Sequence, residues 1–268
     1  MAELVDAQVS GICVRKDVEV RVFFWAPGTT ESRREIAGFR AFSIKNSAMI
    51  RSSAAIHLHD GDLPDDLDLG PLVAIDTETM GLNPHRDRLC LVQLSSGNGE
   101  AHLVQIRPEA RTGISGGVTC RPCPNLRALL EDRAVTKLMH FGRFDVAVLQ
   151  HALKLTVSPV ICTKIAARLV RTFTDRHGLA HLCRELLGVD LAKHQQTSDW
   201  GQDTLTPEQL AYAASDVLHL HALWAKLEAL LHREGRRDLA QACYNFLPAR
   251  AELDLLGYED PDIFSHRA

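Results

Sequence analysis

The sequence lacks an excess of basic residues: 30 Lys and Arg stand against 34 Asp and Glu, a formal net charge of -4. Proteins that coat long stretches of nucleic acid present a broad positive surface, so that class is disfavoured. A compact site in which bound cations supply the positive charge stays open. Long apolar runs are also missing. Val20–Ala26 (VRVFFWA) is far too short to span a bilayer, and nothing before it has the form of a signal peptide. The expectation is no membrane partner. The seven cysteines (13, 90, 120, 123, 162, 183 and 243) are odd in number and scattered. That excludes a simple disulfide framework and points to a reducing, cytoplasmic setting. There is no internal repeat.

What is present suits a packed core. Of 268 residues, 46% are hydrophobic and 24% charged, enough for one large domain or two small ones. Residues 1–53 carry no period that extends into an element, and the Ser-, Arg- and Ala-rich stretch 31–53 fits a flexible extension or a start assigned too early, with Met49 the other candidate start. A domain is expected over 54–258, followed by a short tail over 259–268.

Within that domain, Leu72–Thr77, Leu89–Ser95 and Ala101–Ile106 are short apolar runs separated by turn residues. They predict three strands of an antiparallel meander. Pro108–Pro124 is a long Gly- and Pro-rich loop. Helices are predicted at Leu126–Leu130, Asp145–Leu153, Thr163–Val170 and Leu179–Leu187, with a strand at Val135–His140. A long helix should start at Thr206, where Thr caps, Pro207 takes the first position and Gln209 completes a capping box. Its apolar positions run on to Leu231. Strands first and helices after predict an α/β domain with a mixed sheet flanked by helices.

Three positions carry chemistry. In Ile75-Asp76-Thr77-Glu78-Thr79, strand alternation puts Asp76 and Glu78 on one face at the end of a buried strand. Adjacent carboxylates repel unless a cation sits between them, and an all-oxygen pair suits Mg2+ or Mn2+. A solvated strand end or turn cap has the same text. Asp145, in Phe141-Gly142-Arg143-Phe144-Asp145, has the place of an acid favoured by a helix N-terminus. Tyr212 and Asp216 are four apart, hence on one helix face about one turn apart. A core tyrosine beside a surface aspartate gives the same spacing.

Together, in this order, these positions resemble the tyrosine-bearing branch of the DEDD exonuclease superfamily typified by RNase D. The resemblance covers roughly Ile56 to Tyr258. It extends to Leu186-Leu187-Gly188-Val189-Asp190-Leu191, to Gln196-Thr197-Ser198-Asp199-Trp200 and to Leu205–Ala213. It implies an RNase H-like fold and 3′→5′ phosphodiester hydrolysis with two divalent cations. Asp76 would bridge the two, Glu78 and Asp216 would hold one, and Asp145 would support the other. Tyr212 would position the attacking water.

The run Asp76–Pro84 is similar to the short, single-domain nanoRNase C group, which finishes the degradation of very short RNAs. That implies short single-stranded RNA as partner, with DNA the other candidate, and a homo-oligomer, with a ring of the group's kind as its candidate form. By the same resemblance Leu82 is a candidate wedge between bases, or else a turn residue covering the sheet. Thr77, Met80, Gly81, His140, Phe141, Arg143, Phe144, Gln196, Ser198, Asp199 and Trp200 are further substrate-contact candidates, Trp200 being equally suited to packing. Two features depart from the family pattern: the length of the 111–124 segment with its Cys120-x-x-Cys123, and Cys162-Thr163 where RNase D often has Asp-Thr. A single C-x-x-C lacks the second ligand pair of a structural zinc site. Two other readings remain: a broader exonuclease acting on structured RNA or DNA ends, and a catalytically silent nucleic-acid-binding module.

Overall fold

The computed structural model describes residues 55–109, 120–191 and 198–266. Gln196, the rest of the 192–197 stretch, and residues 1–54, 110–119 and 267–268 lie outside the described residues.

Six strands form one sheet: β1 (Ala55–Asp60), β2 (Leu72–Thr79), β3 (Leu89–Ser95), β4 (Glu100–Gln105), β5 (Thr136–Met139) and β6 (Val160–Cys162), in the order β1-β4-β3-β2-β5-β6. The predicted meander is present, since β2 pairs antiparallel with β3 and β3 antiparallel with β4. Beyond the meander the pairing is parallel: β1 with β4, β2 with β5, and β5 with β6. The sheet is therefore mixed, with β2 between one antiparallel and one parallel neighbour. β3 is buried along its whole length, which explains its uninterrupted apolar text.

The helices are α1 (Pro124–Glu131), α2 (Gly142–Leu153), α3 (Thr163–Val170), α4 (Leu179–Leu182), α5 (Pro207–Leu218), α6 (Leu220–Arg233) and α7 (Arg237–Leu255). A π-helical turn, Cys183–Leu187, continues α4. α3 has the predicted bounds, and α2 starts three residues earlier than expected. The capping box forms as read: the Thr206 hydroxyl accepts from Gln209 N, and the Gln209 side chain accepts from Thr206 N. The expected single long helix does not form. It breaks at His219, so that α5 lies on β2, β3 and β4 while α6 packs on α3 and α7. The apolar spacing runs unbroken across His219, so no sequence signal marks the break.

β1, β6 and α7 have no counterpart in the sequence reading. β1 is an exposed edge strand, β6 has three residues, and α7 contains Pro248, which ordinarily ends a helix. The main core lies among the sheet, α1 to α3, α6 and α7. A smaller cluster of Cys90, Leu91, Leu103, Trp200, Leu205 and Ala213 sits under α5.

Candidate active site

Parallel pairing of β2 with β5 puts the C-terminal ends of both strands at the same edge of the sheet. β2 carries Asp76 and Glu78 at its end, and β5 feeds through Met139–Phe141 into α2, whose first turn carries Asp145. The register shifts between Glu78 and Thr79, a bulge that ends regular pairing just after the second acid. α5 crosses the meander above this point. Its buried Ala213 and Ala214 let it come close, which brings Tyr212 and Asp216 over the strand end. Ligand oxygens of Asp76, Glu78 and Asp216 lie within 4.8 Å of one another.

Asp145 is 3% exposed and accepts a hydrogen bond from Thr77 Oγ1 at 2.7 Å. Thr77 was a substrate-contact candidate. It is itself buried, and its hydroxyl is committed to orienting this carboxylate. Gln93, which the sequence reading passed over, faces Asp76 across the β2–β3 ladder, and its amide donates to Glu78 Oε1 at 3.5 Å. A glutamine inside the otherwise apolar run of β3 is the signal available in the sequence, since such a residue, once buried, needs a partner.

Four acids in one buried place hold their protons tightly. Burial, then Asp216 and Asp145, push Glu78 up to about 9. Burial raises Asp145 to about 7 against the pull of the Thr77 hydrogen bond. Asp216 also rises to about 7 through burial, with the Tyr212 phenol drawing it back. Asp76 goes well above the carboxylate range through burial and its three acidic neighbours. Tyr212 is driven upward by burial and by Asp216, Glu78 and Asp76, so its phenol stays protonated. The charged neighbours acting on Asp76 and Glu78 are all carboxylates. An all-oxygen cluster with no cationic side chain to balance it is the donor set of a hard divalent cation.

The remaining candidates divide by exposure. Leu82 is 84% exposed, Met80 49% and Phe141 47%. Phe141 sits at φ 62, the N-cap of α2, with Lys164 Nζ 3.8 Å from its ring centre. A left-handed non-glycine residue costs about 1–3 kcal/mol and is typical of functional sites. Gly81 lies tight against Asp87, whose carboxylate would have to shift to admit a Cβ there.

Other candidates are engaged elsewhere. Arg143 is gripped by both carboxylate oxygens of Asp254 on α7, at 2.5 and 2.7 Å. Phe144 packs against the main core. The His140 ring nitrogen Nδ1 lies 2.9 Å from Thr163 Oγ1, whose own proton goes to Met139 O. Burial, then Lys164, lower His140 to about 3, so it is a neutral, packed imidazole. Trp200 is 2% exposed and lies behind Tyr212, ring centres 6.1 Å apart, so it faces the core and not an open groove. Ser198 Oγ and Asp199 O both accept from the Gln209 amide, tying this segment to the start of α5. Cys120 and Cys123 are free thiols, and neither belongs to a cluster of three potential ligands among the described residues.

A mixed sheet whose central strand ends in two acids, completed by acids from two helices, is the architecture of a 3′-5′ exonuclease. The 3′-5′ exonuclease family model matches residues 62–232. The chain belongs to that family, in its RNase D-like DEDD branch. It is 34% identical over 168 residues to Ribonuclease D of Gluconacetobacter diazotrophicus, covering 63% of this chain and 40% of that protein. Thus it spans about two fifths of the length of the curated relatives it matches. Two solved structures match more fully. Brucella melitensis NrnC with bound Mg2+ is 52% identical with a TM-score of 0.71, covering 80% of this chain and 100% of that chain. The same protein bound to pGG is 53% identical with a TM-score of 0.73 at the same coverage. The fold is the RNase H-like fold of DEDD exonucleases. Among the described residues no helix is long and apolar enough to cross a membrane.

Proposed function

We propose that this enzyme hydrolyses short single-stranded oligoribonucleotides from the 3′ end, releasing nucleoside 5′-monophosphates. The observation that carries the reading is the match, over the whole of that chain, to a nuclease whose structure holds the short oligonucleotide pGG. The exposed apolar side chains of Leu82, Met80 and Phe141 around the acids support it. A short substrate offers few phosphates, so affinity must come from stacking and end contacts more than from counterion release. The balance of charge in the sequence fits that need.

Asp76, Glu78, Asp145 and Asp216 would hold two divalent cations, Mg2+ or Mn2+, with Asp76 shared, Glu78 and Asp216 on one and Asp145 supporting the other. Such ions acidify water and stabilise the attacking and leaving oxygens of an in-line displacement. Tyr212, held protonated by its surroundings, orients the attacking water and does not take its proton. Thr77 and Gln93 fix the carboxylates of Asp145 and Glu78. Leu82 wedges against a base, Phe141 offers a stacking face, and Lys164 beside it meets a phosphate.

We read the working form as a homo-oligomer, ring-shaped in outline. The exposed Leu256, Tyr258, Ile263 and Phe264 near the C-terminus give such a contact apolar surface. Free thiols at all six described cysteines fit a cytoplasmic setting. The test is a time course with Mg2+ on end-labelled RNAs from dimers upward, with single- and double-stranded DNA alongside. Dimers should be consumed fastest. Equal rates on dimers and long RNA would sink the short-substrate reading, and RNA binding without mononucleotide release would sink catalysis. Light scattering tests the oligomer, which should exceed the 29.7 kDa monomer mass.

A further inference from the structure

Away from the acids, the β1 edge of the sheet carries a cluster of different chemistry. β1 reads Ala-Ile-His-Leu-His-Asp, so alternation puts His57 and His59 on one face. Parallel register sets His57 beside His102 of β4, and Glu100, two residues before His102, shares that face. Three imidazoles and a carboxylate are thereby gathered on two strands. The His57 and His102 rings stack with centres 4.8 Å apart, and those of His59 and His102 at 5.3 Å. His59 Nε2 lies 3.1 Å from His102 Nδ1. One ligand atom each from His57, Glu100 and His102 lie within 4.8 Å of one another.

We propose that His57, His102 and Glu100 form a second metal site, selective for a zinc-class transition ion, with His59 orienting His102. Imidazole nitrogens suit Zn2+, whereas Mg2+ and Mn2+ prefer the all-oxygen set of the active site, so the two clusters sort metals by ligand chemistry. The ring-to-ring hydrogen bond occupies Nδ1 of His102, which leaves Nε2 for the ion. That is the usual arrangement of a ligating histidine whose other nitrogen is held by a neighbour. Tetrahedral ligands at about 2.0–2.1 Å from zinc stand roughly 3.4 Å apart. His57 is exposed, and side-chain rotation there can close the remaining gap of at most about 1.4 Å. Among the described strands β1 pairs only with β4, so an ion bridging His57 and His102 pins an edge strand that backbone pairing holds on one side alone.

The experiment titrates Zn2+ into chelator-stripped full-length chain by calorimetry, in excess Mg2+ to keep the carboxylate site supplied. About one equivalent should bind at micromolar affinity or tighter and raise Tm by a few degrees, because an ion that binds only the folded state stabilises it. His57→Ala, at an exposed position, should weaken zinc at least tenfold and abolish the Tm rise. Cys120→Ser with Cys123→Ser should change neither. Cobalt in place of zinc should show bands of nitrogen and oxygen ligands without a thiolate charge-transfer band. Zinc binding unchanged in His57→Ala, lost in the cysteine variant, or competed away by Mg2+ would overturn the site. These readouts do not depend on RNA hydrolysis, so their failure leaves the exonuclease reading standing.

Discussion

Asp145 is 3% exposed, and Leu82 is 84% exposed, yet both belong to the same candidate site. The acids stand on a strand and two helices, with a neighbouring hydroxyl on Asp145 and an amide on Glu78. The residues facing solvent stand on the turn after β2 and at the strained start of α2. The difference divides labour. Holding cations demands side chains fixed to a fraction of an ångström. Gripping a flexible oligonucleotide demands apolar surface that water can leave. If that division is right, substitutions in the two regions must fail in different ways.

The largest effect is expected at the acids. Asp76→Asn should lower kcat by about 10^3-fold or more, since on the proposed reading Asp76 is the ligand both ions would share, while leaving the fold intact. Asp145→Asn should also lose most hydrolysis and shift the Mg2+ dependence to higher concentration. Tyr212→Phe keeps the carboxylates and the packing against Trp200, and should lose about 10^2-fold or more in kcat with little change in KM. Near-normal turnover in either of the last two would show that the site has been misplaced.

Next is stability, with a sign opposite to activity. Glu78 has a folded pKa of about 9, raised above its ordinary value of 4.5. The metal-free folded state therefore binds more protons than the unfolded chain between these values, and its stability falls as pH rises through that window. Glu78→Gln removes the charge. In chelator at pH 8 the variant should be more stable than the parent by roughly 2 kcal/mol, and this advantage should shrink toward pH 5. Added Mg2+ should reverse the order by stabilising the parent alone. Thermal or urea melts with and without chelator measure this, and a parent that is the more stable form in chelator at pH 8 would contradict it.

The same division explains what the sequence made legible. The five positions Asp76, Glu78, Asp145, Tyr212 and Asp216 sit on regular elements, where periods of 2 and 3.6 convert spacing into a shared face. The capping box of Thr206 and Gln209 fixed the start of α5 and hence the height of Tyr212 above the sheet. Substrate candidates chosen by neighbourhood along the chain fared differently. Arg143 is two residues from Asp145, yet its partner is Asp254, 111 residues away. Trp200 points into the cluster beneath α5, and Thr77 serves a carboxylate 68 residues distant. Such long-range partners leave no local trace. Lys164 went unnoticed because the ring it covers, Phe141, is brought to it only by the fold. The break at His219 and edge strand β1 escaped for a related reason: apolar spacing cannot show a change of direction, and an exposed strand has no apolar run.

The smallest effect separates the two regions most sharply. Leu82 touches solvent over most of its surface, so Leu82→Ala should leave stability within about 0.5 kcal/mol of the parent. It should also leave the metal dependence untouched, since no carboxylate depends on it. If its side chain lies against a base, the loss is stacking and apolar contact, about 1–2 kcal/mol, or roughly tenfold in kcat/KM. That loss should be greatest on dinucleotides, where each contact is a large share of the total, and smaller on longer RNA, which has further nucleotides to grip. A turn residue that merely covers the sheet predicts the reverse pattern: a lower Tm with kcat/KM unchanged at every length. Steady-state kinetics on a length series, with melts of the same preparations, distinguishes the two.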